Sequence, residues 1–143
     1  MPGAGKSTVG VVLAKMAGFH FLDSDLVIQQ KTGKLLHELI DEYGREGFLK
    51  LEGEINASLE VEQSVIATGG SVVYEPNAME HLREISVVVY LRLPYEELKG
   101  RLGSLSKRGV VLKEGETLAD LYEERSALYE NYADCLLYTS DAA

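Results

Sequence analysis

The chain opens Met1-Pro2-Gly3-Ala4-Gly5-Lys6-Ser7-Thr8, and this stretch decides how the rest is read. Gly-Lys-Ser-Thr running into an amphipathic segment is the end of a phosphate-binding loop. Gly3 and Gly5 leave room for backbone N–H groups to wrap a polyphosphate. Lys6 reaches the terminal phosphates, and Ser7 offers a hydroxyl to Mg²⁺. The helix that follows adds its positive N-terminal end to the same anion site. The complete pattern asks for one more glycine just before Met1, and for a buried parallel strand before that. The chain is therefore expected to start late or to be a fragment, with the first strand of its sheet missing. Neighbouring strands would then keep unpaired ladder groups, so lower stability than a form carrying that strand is expected.

Working outward, apolar residues alternate between helical and strand periods. Val9, Val12, Leu13 and Met16 recur at helical spacing, and Gly18 is a stop. Phe19 to Leu22 reads as a buried strand ending in Asp23-Ser24-Asp25. Leu26 to Lys31 is a helix closed by Thr32-Gly33. Leu35, Leu36, Leu39 and Ile40 stripe another that ends near Gly44. Glu46 to Leu59 is a longer helix with Phe48, Leu51, Ile55 and Leu59 on one face. Val65 to Ala67 is a strand running into Thr68-Gly69-Gly70-Ser71. Asn77 to Glu84 is helical, Val87 to Leu91 is a strand, and Pro94 opens a helix to about Leu102. Residues 103–115 show little periodicity but carry Lys107, Arg108 and Lys113. Thr117 caps a final helix to Tyr132, with Asp120 at the capping-box position. Strands alternating with helices, without repeats or linkers, predict a three-layer α/β domain around a mainly parallel sheet over residues 1–134. Residues 135–143 fit poorly and are expected to be a non-native or disordered tail.

The chain has 143 residues, 45% of them apolar, enough for one domain with a real core. A net charge of −9 argues against nucleic acid or an anionic membrane as a general partner. The single cysteine, Cys135, excludes an internal disulfide and a cysteine-based metal cluster. No apolar run reaches the roughly 18 residues of a membrane span, and a cytoplasmic monomer is the default expectation. His20, His37 and His81 lack metal-ligand spacing and read as surface or edge residues.

Ligands of open α/β sheets sit beyond the carboxyl ends of the strands. Here those ends carry the phosphate loop, Asp23 with Asp25, and Gly69 with Gly70. Beside bound Mg·ATP, one carboxylate can hold the metal through water while the other orients or deprotonates an acceptor hydroxyl. The glycines let backbone approach a small substrate. A solvated turn with a helix cap is the plainer account of Asp-Ser-Asp. Tyr122, Tyr129 and Tyr132 share one helix and read as packing.

In this order the motifs resemble the shikimate kinase family: Gly-Ala-Gly-Lys-Ser-Thr, Asp23-Ser24-Asp25, Gly47-Phe48 with Glu52, Ala67-Thr68-Gly69-Gly70, the Arg108 loop, and Arg125 with Leu128-Tyr129. The resemblance spans Met1 to about Asp134. It implies a P-loop kinase fold and transfer of the ATP γ-phosphate to the 3-hydroxyl of shikimate, in aromatic amino acid biosynthesis. By the family pattern, the loop Gly3, Ala4, Gly5, Lys6, Ser7 and Thr8 binds ATP, and Ser7 and Asp23 attend Mg²⁺. Asp25 is the base that holds the accepting hydroxyl, while Gly69, Gly70 and Arg125 line the shikimate site. Arg101 flanks the adenine, and Arg108 closes over ATP on a lid of about residues 103–115.

The chain also departs from that pattern. Leu49 stands where the family has an arginine for the substrate carboxylate, and Lys50, about 100° further round the helix, does not simply replace it. Losing one of two such clamps costs about 2–3 kcal/mol. Ser71 replaces a third glycine, Gly109 replaces a proline after the lid arginine, and Ala127 replaces another proline. Glu52 either orients Arg125 or is simply exposed. The alternatives to a shikimate kinase are a kinase for another small hydroxylated metabolite such as gluconate, or an inactive nucleotide-binding fragment.

Overall fold

The computed structural model describes residue 1, residues 4–101 and residues 113–138. Helix α1 (Lys6–Ala17) follows the loop and leads through Gly18 into strand β1 (His20–Asp23). Helix α2 (Ser24–Thr32) and helix α3 (Leu36–Ala57) precede strand β2 (Ser64–Ala67). A 3₁₀ turn (Gly70–Tyr74) and helix α4 (Pro76–Ile85) then lead to strand β3 (Val89–Arg92). Helices α5 (Tyr95–Arg101) and α6 (Leu118–Tyr132) and strand β4 (Cys135–Tyr138) complete the order. The expected α/β alternation is present, and both strand pairs are parallel.

The sheet is broken in the middle. β1 pairs with β2, with His20 opposite Ser64 and Asp23 opposite Ala67. β3 pairs with β4, and the two pairs do not join. Between them lies a cavity of about 720 Å³ whose walls include Met1, Val65, Val89 and Leu91. The phosphate loop thus meets the fold beside a gap between β2 and β3.

The expected apolar stripe of α1 is not its buried face. Val12 and Met16 are exposed, Met16 at 81%, while Gly10 and Ala14 are buried. Small residues face the sheet because the helix lies close to it: a Cβ on Gly10 would fall 2.7 Å from the Phe21 ring. The remaining core forms three clusters. One joins Leu59, Val72, Val73, Ala78, Met79 and Leu82, and another gathers Ile28, Leu39, Phe48 and Ile55 between α2 and α3. The third packs Met1 and Ala4 against Leu93, Leu98 and Leu121, tying the phosphate loop to α5 and α6.

The two helices predicted on either side of Gly44 are present as the two segments of α3, which is broken at that glycine (φ 73°, ψ 179°). The expected capping box is formed: Thr117 Oγ1 accepts from the Asp120 amide, and the Thr117 amide donates to Asp120 Oδ2. Within the expected non-native or disordered tail, Cys135–Tyr138 form a strand that pairs with the open edge of β3, and all four stay exposed. Residues 139–143 lie outside the described residues.

Gly44 yields a direct prediction. Its backbone lies where essentially only glycine is at ease, and no atom lies within 4 Å of the place a Cβ would take. Gly44→Ala should therefore lose about 1–3 kcal/mol purely through backbone strain. Urea unfolding measures it, and an unchanged midpoint would contradict the assigned break.

Candidate active site

The site is built where β1 and β2 end side by side. Asp23 closes β1 in extended conformation and caps α2, its Oδ1 accepting from the amides of Asp25 (2.9 Å) and Leu26 (3.4 Å). Capping and a ligand role are compatible, because Oδ2 takes no part in these bonds. Register places Ala67 opposite Asp23, so Thr68-Gly69-Gly70 leave the sheet next to the Asp23–Asp25 turn. A Cβ on Gly69 would lie 2.5 Å from Glu52 Oε2 and 2.8 Å from Asp25 Oδ1. Two carboxylates from different helices thus press on one Cα, and a side chain there would displace them.

Glu52 is buried at 1% exposure, so the exposed reading of this residue is wrong. Ser71, in the place of the third glycine, donates its hydroxyl to Glu52 Oε1 at 2.5 Å. Tyr129 donates its hydroxyl to the Gly70 carbonyl at 2.6 Å, which fixes the glycine segment from the α6 side. Arg125, also on α6, is equally buried, and its Nε donates to the Tyr74 hydroxyl at 3.4 Å. Its guanidinium carbon lies 5.4 Å from the centre of the Tyr74 ring.

The phosphate loop enters from the other side. Gly5 has φ 91° and stands at the N-terminus of α1, where its carbonyl accepts from Val9 N at 2.9 Å. Ala4 is buried, and Ser7 and Thr8 are exposed on the first turn of α1. Lys6 Nζ donates to the Met1 carbonyl at 2.8 Å. Arg101 lies against the loop, its Nη1 3.9 Å from the Cβ position of Gly5. Gly3, Arg108 and most of the expected lid lie outside the described residues. Among the described residues no three His, Cys, Asp or Glu side chains are grouped to hold a metal. A cation at Ser7 and Asp23 would need phosphate oxygens to complete its shell, which is how Mg²⁺ is commonly bound.

These groups perturb one another. Burial pushes the Asp25 carboxyl up to about 6, with Asp23 adding to the rise and Lys6 opposing it. Burial raises Glu52 to about 7, with the Ser71 hydrogen bond and Arg125 opposing. Lys6 falls to about 8, again chiefly through burial, against the pull of Asp25, Asp23 and Glu52. Such displacement of several groups in one place is typical of functional sites.

Lys6, Asp23, Asp25, Gly69, Gly70 and Arg125 therefore lie in one neighbourhood, with Ser7 and Arg101 at the loop. Sequence reading missed Ser71 as a partner of Glu52, and it missed Tyr74 and Arg45. A signal for Glu52 existed, since it sits four residues after Phe48 on the apolar face of α3. Leu49 is buried, and Lys50 is exposed and cannot stand in for an inward-facing cation. His20 and His37 are exposed, and half-buried His81 pairs its Nε2 with the Leu59 carbonyl at 2.6 Å. Tyr122 and Tyr129 pack against Tyr95 and Tyr90.

Comparison with known proteins supplies independent evidence. The shikimate kinase family model matches residues 2–143. Shikimate kinases from Aliivibrio salmonicida and Vibrio vulnificus are 39% and 38% identical over 142 residues, each match covering 97% of this chain and 83% of the relative. Among solved structures, a shikimate kinase from Acinetobacter baumannii in complex with shikimate superposes with a TM-score of 0.81 at 30% identity, covering 98% of this chain and 80% of that one. One from Aquifex aeolicus gives a TM-score of 0.81 at 28% identity, covering 95% and 81%. With the phosphate loop, the paired carboxylates and the glycine segment in matching order, the chain belongs to the shikimate kinase family.

Proposed function

We propose that this chain transfers the γ-phosphate of ATP to the 3-hydroxyl of shikimate. The observation that carries the reading is the meeting of Asp25 and Glu52 at Gly69, close enough to Lys6 and Arg125 for all four charges to interact, in a member of this family.

Phosphoryl transfer needs positioning and charge neutralisation more than covalent help from the protein. The amides of residues 3–8 and the Lys6 ammonium hold the polyphosphate at the start of α1. Ser7 directly and Asp23 through water would hold Mg²⁺, which would neutralise charge on the phosphates. Asp25 accepts the proton of the 3-hydroxyl as that oxygen bonds to the γ-phosphorus, and ADP leaves with the electron pair of the broken P–O bond. A carboxyl near 6 suits this task, being largely ionised at neutral pH yet basic enough to take a proton. Gly69 and Gly70 admit the acceptor's ring, and Arg125 grips its carboxylate. Arg101 flanks the adenine, and Arg108 reaches the phosphates from a lid over about residues 103–115 that excludes water. The unit is one kinase domain over residues 1–134, acting as a cytoplasmic monomer. Among the described residues no helix is long and apolar enough to cross a membrane.

An ADP-release assay tests the assignment. Turnover with shikimate that exceeds turnover with gluconate is expected, and the reverse ranking would remove the reading.

Asp25→Asn should lower kcat by about a thousandfold or more while leaving the ATP affinity within about twofold, the pattern for a lost base. In the unsubstituted protein, kcat/KM should rise with pH through about 6 and fall again above about 8, where Lys6 loses its charge. An undiminished kcat in the variant would displace Asp25 from its role.

The same substitution has a stability signature. A carboxyl raised by folding favours the protonated form, so its contribution is intact below about pH 4 and lost as pH rises through about 6. Asp25→Asn should therefore be more stable than the parent at pH 7, by on the order of 1–3 kcal/mol, and equal to it at pH 4. Equal melting temperatures at both pH values would refute the burial of this charge.

A further inference from the structure

Leu49 removes the cation that would face Arg125 across an acceptor carboxylate, and Lys50 is exposed. One helical turn earlier on the same face of α3 stands Arg45. Its guanidinium carbon is 5.2 Å from the centre of the Tyr74 ring, the ring that Arg125 approaches to 5.4 Å. Two guanidinium groups from different helices thus converge on one aromatic side chain, four residues after Gly70.

Arg45 Nε is buried and has no hydrogen-bond partner. Buried donors are nearly always satisfied, so this one calls for an acceptor that arrives with a ligand. The break at Gly44 makes Arg45 the first residue of a fresh helical segment, where the helix dipole adds to its positive field. Two like charges held near each other under that field favour an anion with two oxygens, which a guanidinium fork matches. Tyr74 draws both guanidinium groups to its ring, while the Arg45 Nε still lacks an acceptor.

We propose that Arg45 is a specificity-determining residue that binds the acceptor carboxylate together with Arg125, supplying from position 45 the charge absent at position 49. Leu49 then serves as an apolar wall. The proposal rests on the shikimate reading above, since it needs an acceptor that bears a carboxylate.

The test is steady-state kinetics of the full chain and of Arg45→Gln and Arg45→Lys, with shikimate and with its methyl ester, which keeps the 3-hydroxyl and lacks the charge. Arg45→Gln should raise the KM for shikimate by about 10- to 100-fold, with kcat within about threefold and the KM for ATP unchanged. Arg45→Lys should recover part of the loss, because it keeps the charge without the fork. The unsubstituted protein should prefer acid to ester, and Arg45→Gln should lose most of that preference. A merely structural arginine would weaken acid and ester alike, and that result, or an unchanged KM for shikimate, would overturn the proposal while leaving the assigned reaction intact. Failure of the unsubstituted protein to use shikimate at all would overturn both.

Discussion

Packing half-buried Lys6 and Asp25 against buried Glu52 and Arg125 is the constraint on which the structure turns. Each ionised form loses hydration, and the pairs within the group recover only part of it. The result is visible in both signs, with the carboxyls of Asp25 and Glu52 raised and the ammonium of Lys6 lowered. A fold selected for stability alone would fill this space with apolar residues. Holding the charges in place means that a polyphosphate and an acidic alcohol meet a site whose dipoles need no rearrangement.

The chain places those groups by simple means. Parallel pairing of β1 with β2 sets Asp23 beside Ala67, and the glycines that follow make room for carboxylates from α2 and α3. Ser71 and Tyr129 then lock the glycine segment through Glu52 and the Gly70 carbonyl. The cluster of Met1, Ala4, Leu93, Leu98 and Leu121 fixes the phosphate loop against α5 and α6, although the sheet beneath it is open. Position of the loop therefore depends on helix packing as well as on the strands.

Much of this was legible in the sequence, because the signals were local. The Gly-Lys-Ser-Thr run, the Asp-Ser-Asp turn, the Gly-Gly pair and the Thr117 cap each declare themselves within a few residues. What sequence reading missed depends on convergence of distant segments. Tyr74 belongs to no local motif, yet it meets Arg45 from α3 and Arg125 from α6. The buried face of α1 was misjudged because close packing against Phe21 selects Gly10 and Ala14 over its larger apolar residues. Cys135–Tyr138 carry an apolar run compatible with a strand, but its partner β3 lies more than forty residues away and only the fold brings them together.

Calorimetric titration of Mg·ATP at pH 8, in two buffers of different ionisation enthalpy, probes the shared cause of these features. A lysine held near 8 in the free protein must become fully charged when phosphates arrive, so binding should take up about half a proton at that pH and much less at pH 6.5. Saturable heat with that proton uptake is the predicted result. No binding, or binding whose heat is the same in both buffers, would contradict the claim that buried, mutually dependent charges form the nucleotide site.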